Sequence, residues 1–488
     1  MNLLAFDLGA SSGKLFLAEL SDGKVSFQEI HRFENSAYSI SGGLYWDIIY
    51  LYQQMNEGIQ KAIDLTGDRI DSFGIDSFSN DFGFVDSNGD LLSPVRCYRD
   101  KRTERFKKQI YEKMSKEQLH ACSGNQNALF NTLMQLAAMK EAGQDMMFEH
   151  GHKMLFIPDL LIYFLTGKTN AEYTISSVSQ MFSFRKDNWS EEILSAYQLP
   201  REMFGELIKP GTVVGNTHSS YNKQMKTRGF PVVAVCEHDT ASAYLASCCR
   251  TDCALISSGT WALVGTEIDR PIITEETCRY NFANEGGYNR YRLLRNVMGS
   301  WLIQEVKKYY RSQGHDYSYD ELDQLAQCAP AFRYFIDVDD ELFFQPGNIP
   351  EKIGAYCISR YHSRPETVGA IVRCIYESLA MKYRWVIEKL EHIVQKPLPV
   401  INILGGGSKA EMMCQFTANA CKKNVLSGPA EASAIGNISV QLLALHAVSS
   451  IDQATELMQN TYKIKTYSPA DVERWETEYK NYLKQFGG

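Results

Sequence analysis

Hydrophobic positions in the N-terminal part of the chain switch between a period of two and a helical period. The runs Leu3–Leu8, Lys14–Leu20, Val25–Phe33 and Ser72–Asp76 read as strands, and Tyr50–Leu65 reads as a helix before the last of them. From Thr103 to Gly143 the pattern is helical with charges on the outer positions. Met154–Leu165, Ser190–Tyr197 and Ala241–Ser247 add shorter helices. The second half repeats this order of events. A hairpin over Ala254–Thr266 leads to helices over Trp301–Tyr310 and Glu366–Val394 and a strand over Leu398–Leu404. A Gly-rich turn, a helix over Glu411–Cys421, a short strand and a helix over Glu431–Ala447 follow, and Ser468–Phe486 reads as a surface helix. This is α/β organisation in two similarly built halves, residues 1–247 and 248–488, meeting near Ser247–Asp252 without a Pro/Ser-rich linker.

Composition narrows the function. With 488 residues, 44% apolar and 22% charged, the chain can build at least two sizeable cores. A net charge of −8 carries no electrostatic footprint for nucleic acid. The longest apolar stretch, Met154–Leu165, is broken by Pro158 and Asp159 and is too short to span a bilayer, so no membrane partner is expected. Met1–Phe6 leads directly into a strand without a basic segment, and a cytoplasmic location is expected. The twelve cysteines include no CxxC pair, so structural zinc is not expected and the thiols should be reduced.

Two of the strand pairs carry small, hydroxyl-rich tips. The first strand ends in Asp7, Gly9, Ala10, Ser11, Ser12, Gly13 and Lys14, and the chain returns through Leu15–Leu20. In the second half Ala254–Ile256 ends in Ser257, Ser258, Gly259 and Thr260, and returns through Trp261–Gly265. Small residues let backbone N–H groups approach an anion, and hydroxyls add donors. One such tip per half points to two lobes gripping a polyphosphate. The first tip is not a P-loop. Gly9 and Gly13 enclose three residues instead of four, Lys14 is followed by Leu15, and a strand follows where a helix is needed. Taken singly, either tip also reads as an ordinary glycine-rich hairpin. A third element, Pro399–Leu404 running into Gly405, Gly406, Gly407 and Ser408, would let a flat ligand or a phosphate lie against backbone; a tight strand-to-helix turn is its plainer reading.

The acids add chemistry. Asp7 inside a phosphate loop makes sense with a divalent cation between the two, since Mg²⁺ is held by one or two carboxylates and phosphate oxygens. Asp239 follows the apolar run Val232–Cys236 and opens a helix; it is either an N-cap or a base that takes a hydroxyl proton from a phosphoryl acceptor. Asp76 and Asp81 bracket Ser77, Phe78, Ser79 and Asn80 at a strand end, which suits a sugar pocket or a surface turn. Asn296 and Gln304 carry no signal alone.

At this point the motifs match a family. "FDLGASSGK" at Phe6–Lys14, "YRDKRT" at Tyr98–Thr103, "HDTASA" at His238–Ala243, "SSGTWAL" at Ser257–Leu263, "NEGG" at Asn284–Gly287, "GGG" at Gly405–Gly407 and "GPAEASAIGN" at Gly428–Asn437 occur in family order over nearly the whole chain. The sequence resembles the FGGY carbohydrate kinases, and within them the rhamnulokinase branch. The resemblance implies a two-lobed actin-like, ribonuclease-H-like ATPase fold with a nucleotide and sugar cleft between the lobes. It implies that Ala10, Ser11, Ser12, Gly13, Lys14 and Thr260, with the neighbouring Gly259, contact ATP phosphates, and that Gln304, Gly405 and Gly406 lie along the nucleotide. Asp239 matches the catalytic base, Asp7 the acid near Mg²⁺, and His238, Thr240, Asn296 and Ser79 match sugar contacts, with Asp81 beside them. One departure stands out. Rhamnulokinases usually read Asp-Thr-Trp-Gly-Val-Asp-Phe where this chain has Asp76-Ser77-Phe78-Ser79-Asn80-Asp81-Phe82. A new hydroxyl and a new amide in the sugar pocket suit a sugar whose hydroxyl points differently. The expectation is therefore a kinase of the first-carbon hydroxyl of a 6-deoxy-ketohexose, L-rhamnulose first and L-fuculose as the alternative. Actin-like ATPases that transfer nothing to sugar share this fold; Asp239 and the Asp76–Asp81 segment argue against that class.

Overall fold

The computed structural model describes residues 1–249 and 252–487. They fall into two compact units. The first comprises Met1–Ala246, Glu267–Leu293 and Ala432–Tyr462, the second Ser247–Thr266, Leu294–Glu431 and Lys463–Gly488.

The sheet of the first unit contains β1 (Asn2–Leu8), β2 (Ser12–Ser21), β3 (Lys24–Glu34), β4 (Ser72–Ser77), β5 (Thr212–Asn216) and β6 (Pro231–Ala234), in the order β5-β6-β4-β1-β2-β3. β1, β2 and β3 are antiparallel neighbours, whereas β4 runs parallel to both β1 and β6. Every residue of β4 is buried, as a central parallel strand covered on both faces requires. Helix α1 (Ile48–Thr66) starts where the Asp47 carboxylate accepts a hydrogen bond from the Tyr50 amide, and stops at Gly67 in the left-handed region. Its Leu51, Met55, Ile59 and Ala62 pack with Leu4, Phe6, Leu8 and Leu15 in one apolar core. Helices α2 (Ile157–Thr166) and α3 (Asp239–Leu245) complete the elements that matter for the site.

In the second unit a sheet runs β9-β8-β7-β10-β11-β12 through β7 (Cys253–Ser258), β8 (Trp261–Ile268), β9 (Tyr291–Met298), β10 (Val400–Leu404), β11 (Asn424–Ser427) and β12 (Lys465–Tyr467). β7 is antiparallel to β8 and parallel to β10. Helix α4 (Trp301–Ser312) follows β9, and α5 (Val368–Val394) forms the long buried helix of this unit. The chain then returns to the first unit as α6 (Ala432–Ala444). There Gln441 Nε2 donates to Leu4 O at 2.9 Å, and a Cβ at Gly436 would lie 1.9 Å from Ser242 O, so α6 and α3 pack closer than any side chain permits. Glu267–Leu293 and Ala432–Tyr462 thus fold with the first unit although they lie beyond the boundary expected near Ser247–Asp252.

Both expected hairpins are present, as is the strand–turn–helix at Gly405. Two other expectations change. Met154–Leu165 is not one helix: Lys153–Phe156 is a strand antiparallel to Phe82–Val85, and α2 begins only at Ile157. Pro158 has no N–H to donate and disfavours helical backbone before it, so it belongs in a first turn. The stretch Thr103–Gly143 is broken into four short helices, with Gly124 in the left-handed region ending the third.

Candidate active site

Strand register assembles the acidic part of the site. The parallel pairing of β1 with β4 sets Asp7 opposite Asp76, and the antiparallel pairing with β2 sets Asp7 opposite Lys14. One residue further, Ser77 donates its amide to Glu237 O at 2.8 Å and bridges to His238, which brings the start of α3 to the same end of the sheet. Carboxyl ends of parallel strands are where open α/β sheets bind ligands. The Asp76 carboxyl is buried; Asn437 Nδ2 donates to its Oδ2 at 2.7 Å, while Oδ1 is buried without a hydrogen bond. Burial first, then the negative charges of Asp7 and Asp239, hold Asp76 well above the usual carboxylate range.

The turn between β1 and β2 is held tightly. Gly9 N–H donates to Ser12 O at 2.9 Å, Asn35 Nδ2 donates to Gly9 O at 2.9 Å, and the Asn35 amide donates to Ser11 O at 3.1 Å. These bonds fix the backbone of Gly9–Gly13 in one shape, a precondition for backbone recognition of an anion.

Asp239 is not an N-cap. His238 occupies that position, and Asp239 is the first helical residue, with Oδ1 accepting from the Thr240 amide at 2.5 Å and Thr240 Oγ1 at 3.1 Å. Its side chain is 31% exposed. Burial pushes the carboxyl up, against the pull of His238, of both Thr240 bonds and of Arg292. His238 Nε2 lies 3.5 Å from Asp239 Oδ1, and Nδ1 lies 3.4 Å from Glu285 Oε2 and 3.2 Å from Arg292 Nη2. Beneath this turn sit three more buried acids. Glu172 Oε2 accepts from the Glu237 amide at 3.3 Å, and burial pushes Asp159 and Glu237 well above, and Glu172 up to about 7.

The expected sugar segment follows β4 directly. Phe78 packs on Trp46 with ring centroids 4.8 Å apart and on Tyr98 at 6.5 Å. Asn80 adopts φ +76, a conformation Asn tolerates better than a β-branched residue. Its Nδ2 donates to Ser79 Oγ at 3.1 Å, so the two departures that add a polar group pair with each other. Its Oδ1 is buried without a partner, and the residue is 8% exposed. The Asp81 carboxyl is engaged by protein donors: Trp46 Nε1, the Tyr98 amide and Gln135 Nε2.

The second unit gathers the remaining expected nucleotide residues. Ser300 donates its amide to Gly259 O at 3.1 Å, the Trp301 amide donates to Thr260 O at 3.2 Å, and Gln304 Nε2 donates to Ser300 Oγ at 3.0 Å. The hairpin tip Gly259–Thr260 and the first turn of α4 are thereby one structure. Ser258, beside that tip, is also the neighbour of the glycine turn. Gly405 has φ +79, and a Cβ on Gly407 would lie 2.0 Å from Ser258 Oγ, whereas a Cβ on Gly406 would meet nothing within 4 Å. Two of the three glycines are explained by the protein; the open face of Gly406 is where a ligand can lie flat. Asn296 stands on β9 with Oδ1 buried and without a hydrogen bond.

Comparison with known proteins decides the family. The model of the FGGY family of carbohydrate kinases, N-terminal domain, matches residues 2–246, and that of its C-terminal domain matches residues 254–445. The chain belongs to the FGGY family of carbohydrate kinases. This kinase is 37% identical over 480 residues to a rhamnulokinase of Bacteroides thetaiotaomicron, covering 98% of each chain. It is 35% identical over 471 residues to a rhamnulokinase of Oceanobacillus iheyensis, covering 96% of this chain and 99% of that one. Its fold matches the ligand-bound xylulose kinase of Lactobacillus acidophilus with a TM-score of 0.82 at 15% identity, covering 99% and 97% of the two chains. FGGY membership carries ATP-dependent phosphotransfer with it. No helix among the described residues is long and apolar enough to cross a membrane.

Four residues of the kinase were invisible as a set in the sequence. Asp76 was legible as one of two acids bracketing a sugar-pocket or turn segment, Asn437 and Glu285 lay in motifs without an assigned role, and Arg292 carried no signal of its own. Pairing β1 with β4 by their apolar patterns would have placed Asp76 beside Asp7.

Proposed function

We propose that this kinase transfers the γ-phosphoryl group of ATP to the first-carbon hydroxyl of a 6-deoxy-ketohexose, with L-rhamnulose as substrate. The observation that carries the reading is Asp239: a partly exposed carboxylate, free of capping duty, at the end of the strands that hold Asp7 and Asp76. Its Oδ1 is taken by Thr240, which leaves Oδ2 for a substrate hydroxyl. Phosphoryl transfer asks little covalent chemistry of the protein, so Asp239 orients the hydroxyl and accepts its proton late. Ala10–Lys14, Gly259, Thr260, Gln304, Gly405 and Gly406 bind ATP, and backbone donors of the two hairpins with Lys14 stabilise charge on the transferring group. His238, Thr240, Ser79 and Asn296 bind the sugar, and Asp81 holds the Trp46 and Tyr98 wall behind Ser79.

Among the described residues no cluster of three or more His, Cys, Asp or Glu side chains is arranged to hold a metal on protein ligands alone. Mg²⁺ is usually held by one or two carboxylates, with phosphate oxygens and water completing its shell. Asp7, beside an Asp76 oxygen that is buried without a hydrogen bond, fits such an ion, which when bound neutralises phosphate charge.

L-Fuculose is the second reading, favoured by one observation. Asn80 Oδ1 is a buried acceptor awaiting a donor, and a sugar hydroxyl of altered configuration would supply one. Specificity constants for L-rhamnulose, L-fuculose and L-xylulose, measured side by side, separate the two; equal values for all three would remove the specificity argument. Asp239→Asn should lower turnover by about 100-fold or more with sugar binding still measurable. Near-normal turnover in that variant would falsify the assignment.

A further inference from the structure

Behind His238 lies a buried ion pair that the reaction as described does not use. Arg292 is fully buried on β9. Its Nε and Nη2 donate to Gly286 O at 3.1 and 2.8 Å, which fixes the guanidinium plane, and the plane lies 5.7 Å from the Tyr244 ring centre. Nη2 lies 3.0 Å from Glu285 Oε2 and 3.2 Å from His238 Nδ1. On the far side of the imidazole, Nε2 faces Asp239 Oδ1 at 3.5 Å. The row therefore reads Arg292, His238, Asp239, with Glu285 beside the first two.

A guanidinium has donors and no acceptor, so a ring nitrogen facing it offers its lone pair. Glu285 competes for the same nitrogen: at 3.4 Å it would draw a proton onto Nδ1. In a ring that carries one proton, the contest decides which nitrogen holds it. With the proton on Nε2, the ring donates toward the Asp239 carboxylate. With the proton on Nδ1, the Nε2 lone pair faces that carboxylate and repels it.

We propose that Arg292 is a positioning residue of the phosphoryl transfer: by donating to His238 Nδ1 it holds the imidazole proton on Nε2, which aims the Asp239 carboxylate at the acceptor hydroxyl. Glu285 lies against the guanidinium; the Arg292 charge first, then the contact with His238, hold its carboxyl below the ordinary range despite burial. The acids around this row are Asp7 and Asp76 on the neighbouring strands and Asp159, Glu172 and Glu237 beneath, so removal of Arg292 leaves His238 among acceptors. The proposal rests on the assignment of Asp239 as base.

The test combines histidine-selective ¹⁵N NMR of the whole protein with kinetics on L-rhamnulose and MgATP. The His238 resonance is assigned by its loss in His238→Gln. Wild type is expected to show protonated Nε2 and bare Nδ1; a wild-type signal from protonated Nδ1 overturns the proposal without any further variant. Arg292→Met is expected to move the proton to Nδ1 and to lower kcat about 10- to 100-fold, with the sugar KM changed less than about threefold. Adding Glu285→Gln in that background gives Nδ1 an amide donor in place of the lost guanidinium, and should return the proton to Nε2 and recover at least about a third of the lost logarithm of kcat. Rates are taken per ATP-binding site, so that partial misfolding does not count as lost chemistry. Unchanged kcat in Arg292→Met, or a double variant no faster than the single one while the tautomer stays put, overturns the proposal. Asp239→Asn run alongside separates the failures: if it turns over normally the base assignment falls, and if it is inactive while Arg292→Met is not, the positioning role alone falls.

Discussion

Replacing Asp81 with Asn tests what a buried carboxyl does at the edge of a sugar pocket. The group is 1% exposed. Its Oδ2 accepts from Trp46 Nε1 at 2.5 Å and the Tyr98 amide at 3.0 Å, and Oδ1 accepts from Gln135 Nε2 at 3.3 Å. Burial outweighs these bonds and the charge of Arg102, and raises the pKa from 3.8 to about 7. In the fold the carboxyl keeps its proton to near neutrality, while the unfolded chain releases it near 3.8. The folded state thus binds the extra proton between those values. The stability this supplies is complete below the unfolded pKa, declines as pH rises and is gone above about 7. Between pH 5 and 8 about two pKa units of the window are crossed, or roughly 3 kcal/mol at about 1.4 kcal/mol per unit. Asn has the shape of the protonated acid and no charge at any pH. The variant should therefore exceed wild type by roughly 1.7 kcal/mol at about pH 5 and by roughly 4.5 kcal/mol at about pH 8, an advantage that grows by roughly 3 kcal/mol across the range. Urea unfolding followed by tryptophan fluorescence, with both proteins at each pH, isolates this group because the other acids cancel in the difference. A difference that stays constant across the range refutes the reasoning. The sugar KM should stay within about threefold, since the carboxyl oxygens face protein donors; a rise of about tenfold would mean that Asp81 binds sugar directly.

Other substitutions probe the remaining parts of the site. Gly406→Ala adds a methyl with nothing within 4 Å, so the melting temperature should hold while the KM for ATP rises about tenfold; an unchanged KM would show that no nucleotide lies there. Gly407→Ala puts a Cβ 2.0 Å from Ser258 Oγ and should lower both stability and ATP affinity, readable in the same melting and kinetic series. Asn437→Ala removes the 2.7 Å bond to buried Asp76 and should cost about 1–3 kcal/mol, checked by chemical unfolding; no loss would show that Asp76 is satisfied elsewhere. Ser79→Gly with Asn80→Val returns the two added polar positions to the branch pattern and should shift the ratio of specificity constants toward L-rhamnulose by about tenfold, although valine at φ +76 should also lower stability.

What could be read in the sequence was what is local. The hairpins at Gly9–Lys14 and Gly259–Thr260 announce themselves through strand, small polar tip and strand, because backbone conformation there is set by adjacent residues. The break at Pro158 was also local, and Pro158 interrupts the apolar stretch, yet apolar character on both sides of it hid the change of element: a strand and a helix buried on all sides show the same hydrophobicity. What was not legible depends on register and on distant returns. Asp76 joins Asp7 only because β4 pairs parallel with β1. Asn437 reaches Asp76 across 361 positions because α6 returns to the first unit after the whole of Leu294–Glu431 has folded elsewhere. Glu285 lies in the Gly-rich Asn284–Gly287 run and Arg292 in a stretch with no element legible in the pattern, and nothing in their spacing points to His238.

The surplus of acids at one end of the first sheet also has a physical logic. Asp76, Asp159, Glu172 and Glu237 are all pushed up by burial; Asp7 and Asp239 add to it at Asp76, Glu172 at Asp159, and Asp159, Glu172 and Asp76 at Glu237, so the fold keeps them from ionising together. Glu285 is equally buried and moves the other way, and what distinguishes it is Arg292 at 3.0 Å together with His238 at 3.4 Å. Protonation of the inner acids limits the negative charge that an incoming polyphosphate meets. The one buried guanidinium in this row is placed so that its charge also lowers the pKa of Asp239, the acid whose ionised form the transfer needs. A neutral residue at position 292 would not simply weaken a salt bridge. It would also take away one of the pulls that, with His238 and the two Thr240 bonds, oppose burial at Asp239, the carboxylate proposed as the base.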